Sequence, residues 1–502
     1  MSSTKKSISL FFGAGAEISY GMPSGGEFAL NIFRQDQRTS KELFRNEIAK
    51  VNVSSFQARE WLPENYADKQ VSSFSKTQHE TLLKSSLEYK RATLLEYLNN
   101  FDKKLELLLK KYDVKPDKID NYVKENLKID IDNIYYTHKA KFSSKLTDNF
   151  HLFDQKYFSL LLELLKVEEL NADTKQKLKT VAKSFIEFGV GVFGSELIQE
   201  LNEGIFDKKP DDIDIFDDIT GMFSINTAKI GLEGLSLILN SEVATEYAIQ
   251  TDLEELDIHS LANIYFLQLE DIIKNILDYQ DLIDANFRYL YSPKANWSKF
   301  SKISIFLYNV HAYINDINKK IKESETPLDG YYNDIVKLEE QFELVCIGTS
   351  NYTNFIYNYV ESEKVIHLNG SVDERYDPYK NTIVSEEDAS FSVPFLFTQS
   401  GTKPMTSIKI SLKYTTLYEN YKQSDHIVVV GYGFNIDDGH INGLFRTLIE
   451  DDNKLITILS YSKEHDITYY QKKLRLTNTE NLKVLYVDDD RKVDSNPWYE
   501  EH

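Results

Sequence analysis

Four short stretches set polar or glycine residues immediately after apolar runs, where they could bind or cleave a nucleotide. Ser7–Gly25 reads SISLFFGAGAEISYGMPSG, so an apolar run enters Gly13-Ala14-Gly15, and a helix is expected to begin near Ala16. Glycines let a backbone approach a pyrophosphate, and free amides at a helix start carry positive partial charge. A tight strand–helix connection with no ligand would use the same turn. Ile18 stands where a dinucleotide fingerprint has its third glycine, which argues against a dehydrogenase. Cys346–Phe355 (CIGTSNYTNF) ends a second apolar run in Thr349, Ser350 and Asn351. Polar residues just past a strand's carboxyl end are where open α/β sheets hold ligands. Asn351 suits two jobs: holding a water or sugar hydroxyl, or capping a helix. In Val365–Ser371 (VIHLNGS), His367 and Asn369 are two residues apart. On a strand that spacing puts them on one face, about 7 Å apart. A near-neutral imidazole suits proton transfer; the alternative is that His367 only packs in the strand. Val428–Asn442 (VVVGYGFNIDDGHIN) opens a strand into Gly431, Gly433 and Phe434, with Asp438 and His440 entering a helix.

Taken in order, these stretches resemble the sirtuin-like superfamily. Gly13-Ala14-Gly15 followed by Gly21-Met22-Pro23 resembles its first loop. Thr349 and Asn351 match its Thr-x-Asn-x-Asp loop, and Leu368 and Gly370 flank the position of its Leu-His-Gly histidine. Gly431-Tyr432-Gly433-Phe434, then an acidic residue and His440-Ile441, is similar to the last signature of bacterial members. The resemblance implies a Rossmann-like parallel sheet with an NAD pocket. Its lining would come from Gly13, Ala14, Gly15, Glu17, Gly21, Pro23, Thr349, Ser350, Asn369, Gly370, Gly431, Gly433, Phe434, Asp438 and His440, with Asn351 and His367 catalytic. Asp437, Asp438 and His440 would order the last loop and cap its helix.

Four departures matter. Glu17 replaces a small hydroxyl residue and Thr353 replaces the usual Asp, both similar to the AbiH type of bacterial abortive-infection protein. Asn369 stands where the catalytic histidine belongs, and whether His367 or Asn369 serves that role stays open. Classical members that remove acyl groups carry a four-cysteine zinc module. With Cys346 alone that module is excluded, no metal is expected, and Cys346 reads as a small buried residue.

The implied activity is cleavage of the nicotinamide–ribose bond of NAD, yielding nicotinamide and ADP-ribose, as an abortive-infection effector in anti-phage defence. Such cleavage passes through an oxocarbenium-like state. The leaving group already carries positive charge, so positioning a water and stabilising the sugar cation would suffice. The alternative is a sirtuin-like nucleotide sensor or scaffold that has lost turnover. Implied partners are a phage-protein trigger or a partner defence protein, and further copies of the chain in a homo-oligomer.

The elements that must position these residues are α/β in kind. Ile8–Phe12, Leu344–Ile347, Lys364–Leu368, Ile427–Val430, Leu455–Tyr461 and Lys483–Val487 read as buried parallel strands, with helices over Lys413–Gln423 and His440–Glu450. Between them, Leu95–Leu109, Tyr157–Leu170, Thr174–Phe188, Asp252–Leu277 and Ile303–Ile321 repeat apolar residues at helical spacing. The reading is therefore an NAD-binding domain from residues 1–35 and 341–502, with a helical regulatory domain, 36–340, inserted into it. The length of 502 residues alone suggests about three domains. Asp207–Asp218 reads as a solvated acidic loop. A formal charge of −21 speaks against nucleic acid as a direct partner, and the lysines of Lys103–Lys111 read as a helix's wet face. No apolar run spans a membrane, and Ile8–Phe12 is too short for a signal peptide, so residence in the cytoplasm is expected.

Overall fold

The computed structural model describes residues 5–134, 150–203, 212–214, 224–226, 230–240, 256–277, 280–323, 328–385, 390–396, 407–435 and 438–501. The chain divides into two compact units: Met1–Phe28, Gln35–Phe74 and Tyr279–His502 form one, and Ala29–Arg34 with Ser75–Asp278 the other.

All six expected strands form one sheet in the first unit: β1 Ser7–Phe12, β2 Glu343–Thr349, β3 Val365–His367, β4 His426–Val430, β5 Leu455–Ser460 and β6 Leu482–Tyr486. Every pairing is parallel and the spatial order is β6-β5-β4-β1-β2-β3. That is the doubly wound Rossmann order, with its reversal between β1 and β4. Alternation along β1 and β4 splits the core in two. Leu10, Phe12, Val428 and Val430 pack with Tyr332, Ile335 and Leu338 of the helix Tyr331–Gln341. Phe11, Ile427 and Val429 pack with Leu417 and Tyr421 of Ile408–Gln423 and with Phe445 and Leu448 of Gly439–Glu450. Apolar residues on both faces are why these strands read as continuous apolar runs.

The first unit also takes in residues that periodicity had placed in the helical block. Phe44 of Arg38–Ala49 and Phe300 of Trp297–Glu323 both pack on Phe391. Arg375 pairs with Glu47 at 3.5 Å, and the Tyr308 hydroxyl donates to the Ser392 carbonyl. Arg375 lies in, and Phe391 and Ser392 just before a strand of, a three-stranded antiparallel sheet, Arg375–Asp377 with Thr382–Val384 and Val393–Pro394, which the sequence did not suggest.

In the second unit, Lys156–Leu164 is buried on nearly every side, as its apolar composition implied. The expected helix Leu95–Leu109 is instead two, Arg91–Asn99 and Phe101–Lys111, broken at Asn100. Ile258–Ile276 starts where the Asp257 side chain accepts from the Ser260 amide at 2.6 Å. Within the acidic stretch Asp207–Asp218, Asp212–Asp214 is a strand paired antiparallel with Ser224–Asn226 rather than loop; the rest of the stretch lies outside the described residues. Among the described residues no helix is long and apolar enough to cross a membrane.

Candidate functional site

The sheet order brings three of the four stretches together at the carboxyl ends of β1, β2 and β4. The Gly13 amide donates to the Val430 carbonyl and the Gly15 amide to that of Gly431, both at 2.9 Å. On the other side, the Ser350 amide and the Thr349 hydroxyl donate to the Phe12 carbonyl at 3.1 and 3.0 Å. The Asn351 side-chain amide donates to the Gly13 carbonyl at 3.0 Å. The first turn is thus held from both sides.

The glycines are explained by this closeness. A Cβ on Gly13 would lie 2.6 Å from the Gly431 carbonyl oxygen, and one on Gly431 (φ 65°) 2.2 Å from the Ala16 nitrogen. Backbone packed on backbone, rather than a phosphate, accounts for both positions. The helix expected near Ala16 is a 3₁₀ turn, Ala14–Tyr20, and the Gly15 and Ala16 amides are spent inside the protein. Ala14 is exposed and Gly15 half-buried, so the outer surface of the turn remains accessible. Gly21, at φ 87°, closes the 3₁₀ turn ahead of Pro23.

Glu17 points inward, not toward solvent as a pocket residue would. It is buried, and its Oε1 accepts from the Tyr332 hydroxyl at 2.8 Å and from Thr353 Oγ1. Burial pushes its carboxyl up to about 7, while donation by Thr353, Tyr332 and Asn351 pulls the other way. The two departures noted at positions 17 and 353 are therefore one contact: the carboxylate comes from the first loop and the hydroxyl from the second. Asn351 is also buried, and its amide donates to the Tyr332 hydroxyl at 3.2 Å as well as to Gly13. It is not a helix cap, because Tyr352, Thr353 and Asn354 follow it without helical structure. Tyr332 was missed in the sequence; only the fold carries it to Glu17 across a separation of 315 positions.

His367, at the end of β3, pairs in register with Thr349. Its Nδ1 lies 2.9 Å from the Asn351 carbonyl, so Nδ1 carries the proton and Nε2 is left an acceptor. That Nε2 is buried with no hydrogen-bond partner among the described residues, and so is the Asn369 Oδ1 two residues on. Burial pushes the imidazole down to about 4, with the Lys413 charge adding to the effect, so the ring is neutral near pH 7. Lys413 donates to the His367 carbonyl at 3.1 Å and to the Glu374 carboxylate at 2.6 and 2.7 Å. The half-exposed Tyr357 sets its ring edge-on to the imidazole at 5.7 Å. Gly370 (φ 90°) leaves no room for a side chain, since a Cβ would sit 1.8 Å from the Phe395 carbonyl oxygen.

In the last loop, Phe434 is buried at φ 48° while Gly433 is exposed, with Asn435 Oδ1, 3.7 Å from a would-be Cβ, its one close neighbour among the described residues. Asp438 precedes Gly439–Glu450 but makes no side-chain cap bond, contrary to expectation. The Asn442 amide instead ties the helix to the loop through the Asn435 carbonyl at 2.7 Å. His440 lies edge-on to Tyr414 at 5.6 Å; Asp437 lies outside the described residues. Cys346 is buried beside Ser9, and burial pushes its thiol up to about 11, which suits packing and not attack.

Compared with known proteins, no family model matches the chain and no curated protein matches it.

Proposed function

We propose that this protein binds NAD at the reversal point of the sheet and hydrolyses its nicotinamide–ribose bond, acting as a sirtuin-like effector of anti-phage defence. The observation that supports this most is the meeting of the Gly13, Asn351 and Gly431 loops at adjacent strand ends, beside a buried imidazole whose Nε2 has no partner among the described residues. In doubly wound sheets that crevice is where dinucleotides bind.

In this reading the water oxygen bonds to the ribose C1′ as the C1′–nitrogen bond breaks. The bond's electron pair leaves with nicotinamide and neutralises its ring. The water's proton passes to His367 Nε2 and then to solvent. A base with a depressed pKa is weak, yet an oxocarbenium-like carbon is electrophilic enough that little proton transfer is required early. The Asn351 carbonyl, holding Nδ1–H, stabilises the imidazolium as it forms. The helical unit supplies the surface for a trigger, whether a phage protein, a partner defence protein or another copy.

A second reading, a nucleotide sensor without turnover, is favoured by one observation. Both amide hydrogens of Asn351 are already donated within the protein, to Gly13 and Tyr332. The two readings separate in one experiment, nicotinamide release and NAD binding measured side by side. The hydrolase predicts release by wild type that falls at least about a hundredfold in Asn351→Ala and His367→Ala, with binding kept. Binding without release, unchanged by His367→Ala, selects the sensor.

A further inference from the structure

We infer that Glu17 is a positioning residue: through the Tyr332 hydroxyl, its carboxylate fixes the direction in which the Asn351 amide points. The hydrogen bonds themselves require this. Tyr332 has one hydroxyl hydrogen, and Glu17 Oε1 takes it at 2.8 Å. The Tyr332 oxygen is then left as an acceptor, and Asn351 Nδ2 donates to it at 3.2 Å. The second amide hydrogen goes to the Gly13 carbonyl at 3.0 Å, so the amide has a single satisfied orientation. Were the Tyr332 hydrogen to turn toward Asn351, the amide would have to present its oxygen and would lose the Gly13 bond.

The ring that carries the hydroxyl is itself held. Tyr20 stacks on it at 5.0 Å and 18°, and Phe12 meets it edge-on at 5.0 Å. The Tyr20 hydroxyl accepts from the Tyr332 amide at 2.9 Å and donates to Asn333 Oδ1 at 2.7 Å. Glu17, Tyr20, Tyr332, Asn351 and Thr353 are all buried, where an unmade hydrogen bond is expensive.

The groups facing the carboxyl are Tyr332 from the helix Tyr331–Gln341 and Thr353 and Asn351 from the loop after β2, with Tyr20 from its own turn behind Tyr332. Tyr332 stays neutral, since burial and Glu17 both raise it well above its ordinary value. Glu17 is thus the titrating member near neutrality. Ionised, it is the better acceptor for Tyr332 and Thr353; protonated, it holds them less firmly. Alignment of Asn351 tightens as pH rises.

The assignment of Asn351 to catalysis rests on the proposed function, but its orientation does not, so the test reads orientation directly. The full chain is labelled with ¹⁵N-asparagine, and the Asn351 side-chain amide signals are identified by their loss in Asn351→Ala. In wild type these signals should move with pH around a midpoint near 7, stay fixed in Glu17→Gln, and move toward those of free asparagine in Tyr332→Phe. An unaltered titration in Glu17→Gln, or unaltered signals in folded Tyr332→Phe, overturns the inference. In the nicotinamide assay, Tyr332→Phe should lower kcat roughly tenfold with KM within about twofold, and Glu17→Gln should flatten the acid limb of the pH profile. A wild type that cleaves no NAD under any condition defeats the hydrolase alone, and the amide signals still decide the positioning role.

Discussion

At the residue scale, burial sets the charge of the groups that matter, and two opposite pH effects follow. The His367 imidazole is pushed down to about 4 from an ordinary 6.5, as are His426 and His79. A lowered folded pKa means the unfolded chain takes up protons first. The stability each contributes is present above pH 6.5 and lost as pH falls through 4, by up to about 3 kcal/mol apiece. Glu17 is raised from 4.5 to about 7, which reverses the sign. Its contribution is full below 4.5 and fades as pH rises through 7. Chemical denaturation of Glu17→Gln and wild type across pH 4.5–8 should therefore show the variant gaining about 3 kcal/mol relative to wild type toward the alkaline end. A flat difference would mean that the carboxyl is not desolvated. The types and spacing of His367 and Asn369 marked them in the sequence. What marked Glu17 was only its oddity, because the Tyr332 and Thr353 partners that give it meaning arrive from distant positions.

At the scale of elements, the two glycines of the last loop separate packing from binding. Gly431 is left-handed at φ 65° and pressed on the first turn, so Gly431→Ala should destabilise the protein by about 3 kcal/mol or more, read as a fall in Tm. Among the described residues a Cβ on Gly433 would meet only Asn435 Oδ1, at an ordinary 3.7 Å, so Gly433→Ala should leave Tm nearly unchanged. If this loop approaches NAD as the resemblance implies, Gly433→Val should weaken NAD binding without altering stability, which calorimetry and thermal melts together can check. Both glycines sit in the same motif, and nothing in their spacing tells them apart. The difference is a neighbour, the turn at Gly15–Ala16, brought up by strand pairing.

At the scale of the whole molecule, β1 is the central strand, paired with β2 on one side and β4 on the other across more than 300 and 400 positions. Removing the first twelve residues should leave those two strands with nothing between them. Loss of cooperative unfolding by circular dichroism, rather than a modest shift, is the expected result. The apolar runs by themselves determined that six strands and flanking helices would form, because strands covered on both faces are mostly apolar, with buried polar residues such as Ser9 and Thr457 hydrogen-bonded. They also marked where polar loops follow strand ends. Only the tertiary structure decided the order of the strands, the meeting of the Gly13, Asn351 and Gly431 loops, and the inward turn of Glu17. Those outcomes depend on contacts between residues hundreds of positions apart, and local patterning holds no record of which distant surface will fill a given gap.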